Sequence, residues 1–212
     1  MSLNQVFTLL SRISASSVLI PIITSLFFFK AFNSQLKALF IYLVVCLVTE
    51  ISGEACIYLE QDNYAIYNTF TLIETILVFY IYYKEFNLTK YNYLFLIVPL
   101  AILIYGGMRF SLVRSNNLTS SIEAISLSIC ALLYFYKVFV DMTIPKLTSY
   151  YFFWINSAFL LYFLSPFFIS LFENIIRNSH SPVLNYLWVI YLFITVLFNI
   201  VVTVGICKIK RN

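Results

Sequence analysis

Four carboxylates set the chemical question of this 212-residue chain, because they stand inside stretches that otherwise read as lipid-facing. The segment "VTEISGEACIYL" (Val48–Leu59) carries Glu50 and Glu54, spaced i,i+4 and therefore on one helix face. The segment "YNTFTLIETILVFYIYYKEF" (Tyr67–Phe86) carries Glu74 near its middle, with Tyr67 and Thr71 completing a polar stripe at i, i+4 and i+7. Glu123 follows further on, flanked by Ser120 and Ser126 at three-residue spacing. A charged side chain at the centre of a membrane helix costs roughly 2.5–3.5 kcal/mol on insertion scales, and more by other estimates. Four of them facing lipid are untenable. They are expected to face a shared cavity in the outer half of the bilayer that binds a ligand or protons. Arg12, the one basic residue inside a span near them, is expected to pair with Glu54 or Glu50.

Other chemistry is missing. The single histidine, His180, lies in the loop "RNSHSP", which leaves no histidine-ligated haem, zinc or di-iron site. No G-x-S-x-G, P-loop, G-x-G-x-x-G or H-E-x-x-H motif occurs, and the last span holds no lysine for a retinal Schiff base. Cys46, Cys56, Cys130 and Cys207 are scattered without a C-x-x-C pair and read as apolar filler. A two-carboxylate mechanism on Glu50 and Glu74 is the one enzymatic route left open. The expectation is a non-enzymatic protein with no cofactor and no metal.

The elements that must position these acids are helices in lipid. The chain is 62% hydrophobic and 10% charged, with a mean hydropathy of +0.92. A soluble domain carries about 45–50% apolar and about 25% charged residues. The apolar runs are continuous and twice the length that a β-barrel strand needs, so α-helices are expected. Seven segments are long enough to span: Leu9–Phe29, Ala38–Leu59, Tyr64–Tyr83, Tyr91–Met108, Thr119–Val140, Ser149–Ile175 and Pro182–Cys207. The N-terminus lacks a basic n-region and a cleavage site, so the first span reads as retained. The expected fold is an all-α integral membrane protein, a single domain over residues 1–212 built as a seven-helix transmembrane bundle.

Three spans end alike, in "FFFKAF" (Phe27–Phe32), "YIYYKEF" (Tyr80–Phe86) and "YFYKVF" (Tyr134–Phe139), each an aromatic belt closed by a lysine. Lys30, Lys37, Lys84, Lys90, Lys137, Lys146, Lys208, Lys210 and Arg211 fall on one face; Arg12, Arg109, Arg114 and Arg177 fall on the other. The positive-inside rule then places the N-terminus outside and the C-terminus in the cytoplasm of a bacterial inner membrane. The recurring belt also suggests a three-one-three helix plan, although every inward-running helix needs the same belt. In the inner half, Asn156, Ser157, Thr195, Asn199 and Thr203 read as polar residues that bond helix to helix. Pro166 in "LSPFF" is expected to kink its span, with Ser165 helping to satisfy the freed backbone.

The stretch Tyr67–Phe86, with "FWINSAFLLYF" (Phe153–Phe163) and "LWVIYLFITVLFNIVVTVGICK" (Leu187–Lys208), resembles small seven-helix inner-membrane proteins of Bacteroidota. The resemblance covers most of the chain on a loose motif and implies a sensory role, with no catalytic residues to carry over. Three functions are weighed. One is a sensory or regulatory module with a separate cytoplasmic protein partner. Another is an accessory or effector protein of a bacterial defence system that oligomerises and perturbs the membrane. The third is a small three-one-three transporter or channel. The expected partners are the lipid bilayer, a cytoplasmic protein and, through aromatic lipid faces, further copies of the chain. Direct nucleic-acid binding is not expected, because the positive-inside rule accounts for the basic loops.

Overall fold

The computed structural model describes residues 3–86, 93–141, 146–178 and 183–209, and among them the regular elements are all helical. They are α1 (Leu3–Ser17), α2 (Leu19–Phe28), α3 (Ser34–Tyr58), α4 (Tyr64–Phe86), α5 (Leu94–Met108), α6 (Asn117–Asp141), α7 (Tyr151–Asn178) and α8 (Val183–Cys207). Five stretches are long and apolar enough to cross a bilayer: Leu9–Ala31, Ser34–Tyr58, Tyr64–Phe86, Asn117–Val140 and Tyr186–Cys207. Leu94–Met108 and Tyr151–Phe167 are apolar but shorter. At 1.5 Å per residue, α5 reaches only about 22 Å, short of a hydrocarbon core of about 30 Å.

The first span differs from the expectation of one helix. It is broken at Val18 into α1 and α2. Pro21 supplies the reason: it has no amide hydrogen for the Ser17 carbonyl, and its ring crowds that oxygen. The Ser17 side chain turns back onto the Ser14 carbonyl at 2.6 Å. Pro166, by contrast, is accommodated within α7. The carbonyl that this proline leaves without an amide donor is that of Tyr162, and the Ser165 hydroxyl donates to it at 2.9 Å.

The ends of α3 show local sequence control. Asn33 caps its start, accepting from the Leu36 amide at 2.9 Å. At its end Glu60 takes a left-handed conformation, φ 55°. The Glu60 amide then donates to Ile57 O and the Gln61 amide to Cys56 O, which closes the helix as a Schellman turn. Glycine is the residue suited to that conformation. Glu60→Gly is therefore expected to raise stability by about 1 kcal/mol or less, the left-handed strain being partly offset by glycine's larger unfolded-state entropy. Thermal unfolding in nanodiscs checks the sign.

The helices close a ring in the order α2, α3, α4, α6, α7, α8 and back to α2. Helix α1 extends the first span along α8, and α5 lies in the groove between α4 and α6. Aromatic rings fill the centre. Phe159 of α7 lies 5.8 Å from Tyr42 of α3, 6.1 Å from Tyr82 of α4 and 5.8 Å from Phe198 of α8, centroid to centroid. These four rings are buried, whereas Leu96, Ile97, Leu100 and Ile104 of α5 are exposed, as lipid-facing side chains are.

Candidate functional site: a buried acid pair on α4 and α6

Helix α4 carries polar side chains into the interior along its whole length. At one end Asn68 is a staple for the α5–α6 loop. Its amide donates to Ser111 O at 2.7 Å and Arg114 O at 2.9 Å, and its oxygen accepts from the Asn116 amide at 3.0 Å. One turn deeper, Thr71 Oγ1 lies 3.3 Å from Ser120 Oγ. Asn68, Thr71, Gly106, Asn116, Thr119 and Ser120 line a polar crevice too narrow to hold a water molecule. The Thr119 hydroxyl, buried there, has no partner.

The acids come next. Glu74 is 5% exposed and accepts from Tyr42 Oη at 2.8 Å; Glu123 is 3% exposed and accepts from Thr75 Oγ1 at 2.7 Å. Thr75 Oγ1 also lies 2.9 Å from Thr71 O, so one hydroxyl proton faces two acceptors. A proton on the Glu123 carboxyl would let both contacts stand. The two carboxyls are electrostatic neighbours, and no basic side chain of the described residues neutralises either one. Two carboxyls placed together in an apolar medium can hold a proton between them more readily than two negative charges.

At the opposite end of α4 a second polar group ties four helices. Tyr82 Oη donates to Asn156 Oδ1 at 2.8 Å, and Asn156 Nδ2 donates to Ala131 O at 3.1 Å, linking α4, α7 and α6. Beyond them Glu85 accepts from Gln35 Nε2 at 3.0 Å and from Tyr150 Oη at 3.2 Å. Tyr151 Oη donates to Gln35 Oε1 at 3.0 Å, and Lys137 Nζ donates to Phe86 O at 3.0 Å. Lys30, Lys37, Lys84, Lys146 and Lys208 are exposed at this same end.

The structure therefore divides the expected carboxylate set. Glu74, Glu123 and Thr71 sit together on the α4–α6 face. Glu50 is half-buried and Glu54 exposed, and both lie near Tyr67, whose ring covers Gly53. Arg12 requires a correction. It is exposed, and among the described residues no ion pair joins it to Glu54 or Glu50. The reason is placement: α1 packs mainly on α8, and a long basic side chain near a span end can extend toward the headgroups.

The inner polar residues divide as well. Asn156 bridges helices as described, and Asn199 Nδ2 donates to Ser17 Oγ at 2.7 Å, docking α8 at the break in the first span. Ser157, Thr195 and Thr203 do not bond helix to helix. Each donates to the carbonyl four residues earlier, Phe153, Tyr191 and Asn199 respectively. A short hydroxyl side chain in a helix reaches that carbonyl before it reaches a neighbour.

Gln35, Tyr42, Tyr82 and Glu85 were not singled out in the sequence. A signal for Glu85 was present, a carboxylate beside a belt lysine in "YIYYKEF", but belt chemistry explained the lysine and masked the acid. Compared with protein-family models, curated proteins and solved structures, the chain matches none.

Proposed function

We propose that this chain is a multi-pass protein of a bacterial inner membrane, with seven spans, the N-terminus outside and the lysine-rich end in the cytoplasm. In this reading it is a sensory or regulatory module, and the Glu74–Glu123 pair is its responsive site. One observation carries the reading: two neighbouring carboxyls buried mid-bundle on α4 and α6, each held by a single hydroxyl and with no basic partner among the described residues. An intramembrane acid is costly to keep and is by default a functional site.

Helix α4 also gives the signal a route. The helix that carries Glu74 carries Tyr82 and Glu85, which hold α3, α6 and α7 at the lysine end. A change of protonation at the pair would shift α4 against α6 and reach that network. A separate cytoplasmic protein would read it there.

The test uses the two tryptophans, Trp154 and Trp188. Trp154 Nε1 donates to Thr148 O at 2.9 Å, beside the lysine-end network. In a Trp188→Phe protein in nanodiscs, Trp154 fluorescence is expected to change along a pH titration. The change is expected to vanish when Glu74→Gln and Glu123→Gln are combined. An unchanged titration in that double variant would remove the reading. Proton or solute flux in proteoliposomes that is lost with Glu74→Gln would instead favour a transporter.

A further inference from the structure

We propose that Glu74 exchanges its proton with the aqueous phase at the Glu54 end of the bundle through a file of side chains, Glu50, Tyr191 and Tyr162. This rests on the reading of Glu74 as the responsive site and adds what the site binds and by which route. Tyr162 of α7 and Tyr191 of α8 bring their hydroxyls to 3.4 Å of each other inside the bundle. Tyr162 is an electrostatic neighbour of Glu74 and Cys46, and Tyr191 is one of Glu50, Glu74 and Tyr67. Glu50 in turn neighbours Glu54, one turn along α3, and Glu54 is exposed. Exchangeable protons thus follow one another from an exposed carboxylate to a buried one.

Among the described residues, the titratable neighbours of Glu74 are Tyr42 and Cys46 of α3, Glu123 of α6, Tyr162 of α7 and Tyr191 of α8, and none is basic. Tyr42 is committed as a donor to Glu74, which leaves the tyrosine pair as the link outward. The step balances as a relay. Glu50 releases one proton toward Tyr191, each hydroxyl passes on its own proton while accepting the preceding one, and Glu74 takes up the last. The hydroxyls end unchanged in number of protons. Where a carboxyl and a hydroxyl are not in direct contact, bridging water or rotation of the carboxyl completes the link.

The competing route runs through the crevice at the other face, by way of Ser120, Thr71 and Thr75 to Glu123. Hydrogen–deuterium exchange of the buried carboxyl, followed by its infrared carbonyl band in nanodiscs, separates the two. A Glu123→Gln background isolates Glu74. Tyr162→Phe and Tyr191→Phe are each expected to slow exchange on the order of a hundredfold, the lower end of what a positioned proton carrier contributes. The equilibrium pH titration of the same band is expected to stay in place. Exchange within a factor of about two of the parent in both variants, or slowing only with Thr71→Val, would overturn the route. Because exchange is read at the carboxyl itself, this outcome is independent of the Trp154 signal: loss of that signal with slowed exchange leaves the route standing, and the reverse leaves the module standing.

Discussion

Phe159→Ala is expected to cost about 3–5 kcal/mol of stability, the range for removing a buried aromatic ring. Phe159 is fully buried and packs on Tyr42, Tyr82, Phe163 and Phe198, so the hole opens where α3, α4, α7 and α8 meet. In lipid the ring gains nothing from leaving water, and its contribution is close packing that lipid tails cannot reproduce. Tyr42 then loses one of its ring neighbours, and the 2.8 Å bond to Glu74 loosens. Leu161→Ala, two residues on, removes a lipid-facing side chain and is expected to change stability by no more than about 0.5 kcal/mol. Unfolding in mixed micelles compares the two. Equal losses at both positions would mean that Phe159 does not occupy the centre of the bundle.

Gly205→Val is expected to destabilise by about 1–3 kcal/mol or more through overpacking. A Cβ at Gly205 would lie 3.0 Å from Ile155 Cγ1, 3.1 Å from Tyr151 O and 3.3 Å from Trp154 Cβ. The first of these can rotate away. The Tyr151 carbonyl cannot, so α8 must move off α7. Gly107 offers the opposite sign, because a Cβ there meets nothing within 4 Å. Gly107→Ala in the last turn of α5 is expected to stabilise by about 0.5–1 kcal/mol, the helix-propensity difference between the two residues. Thermal midpoints of the two variants should move in opposite directions. If Gly205→Val leaves the midpoint in place, the α7–α8 approach is looser than described.

The lysine end and the Glu74 end respond to different deletions, which follows from how their polar groups are satisfied. Intramembrane hydrogen bonds between side chains average about 0.6 kcal/mol and reach about 1.7 kcal/mol. Around Glu85 the load is shared among Gln35 and Tyr150, so no single bond decides the packing. At Glu74 one hydroxyl carries it. A site with one partner is the easier of the two to switch.

Several features were legible from residue order alone. Helical class and helices long and apolar enough to cross a bilayer followed from apolar runs of span length, because a helix satisfies its own backbone where no water is at hand. The burial of Glu74 followed from its isolation within such a run, and the Ser165 side chain stands beside the carbonyl that Pro166 leaves open, as the spacing suggested. These are local or compositional matters.

What residue order left open depends on the rotation of each helix about its own axis. Spacing placed Glu50, Glu54, Glu74 and Glu123 at comparable depths, but depth says nothing about azimuth. The tertiary structure turned Glu74 toward Glu123 and left Glu54 at the surface, because α4 packs against α6 and α3 at once while the end of α3 is open. The same rotation hid Glu85 behind Gln35 and Tyr150 and left Arg12 exposed. Polarity along the chain determined which helices had to hide something. Only the packing of rings such as Phe159 against their neighbours decided what each of them met.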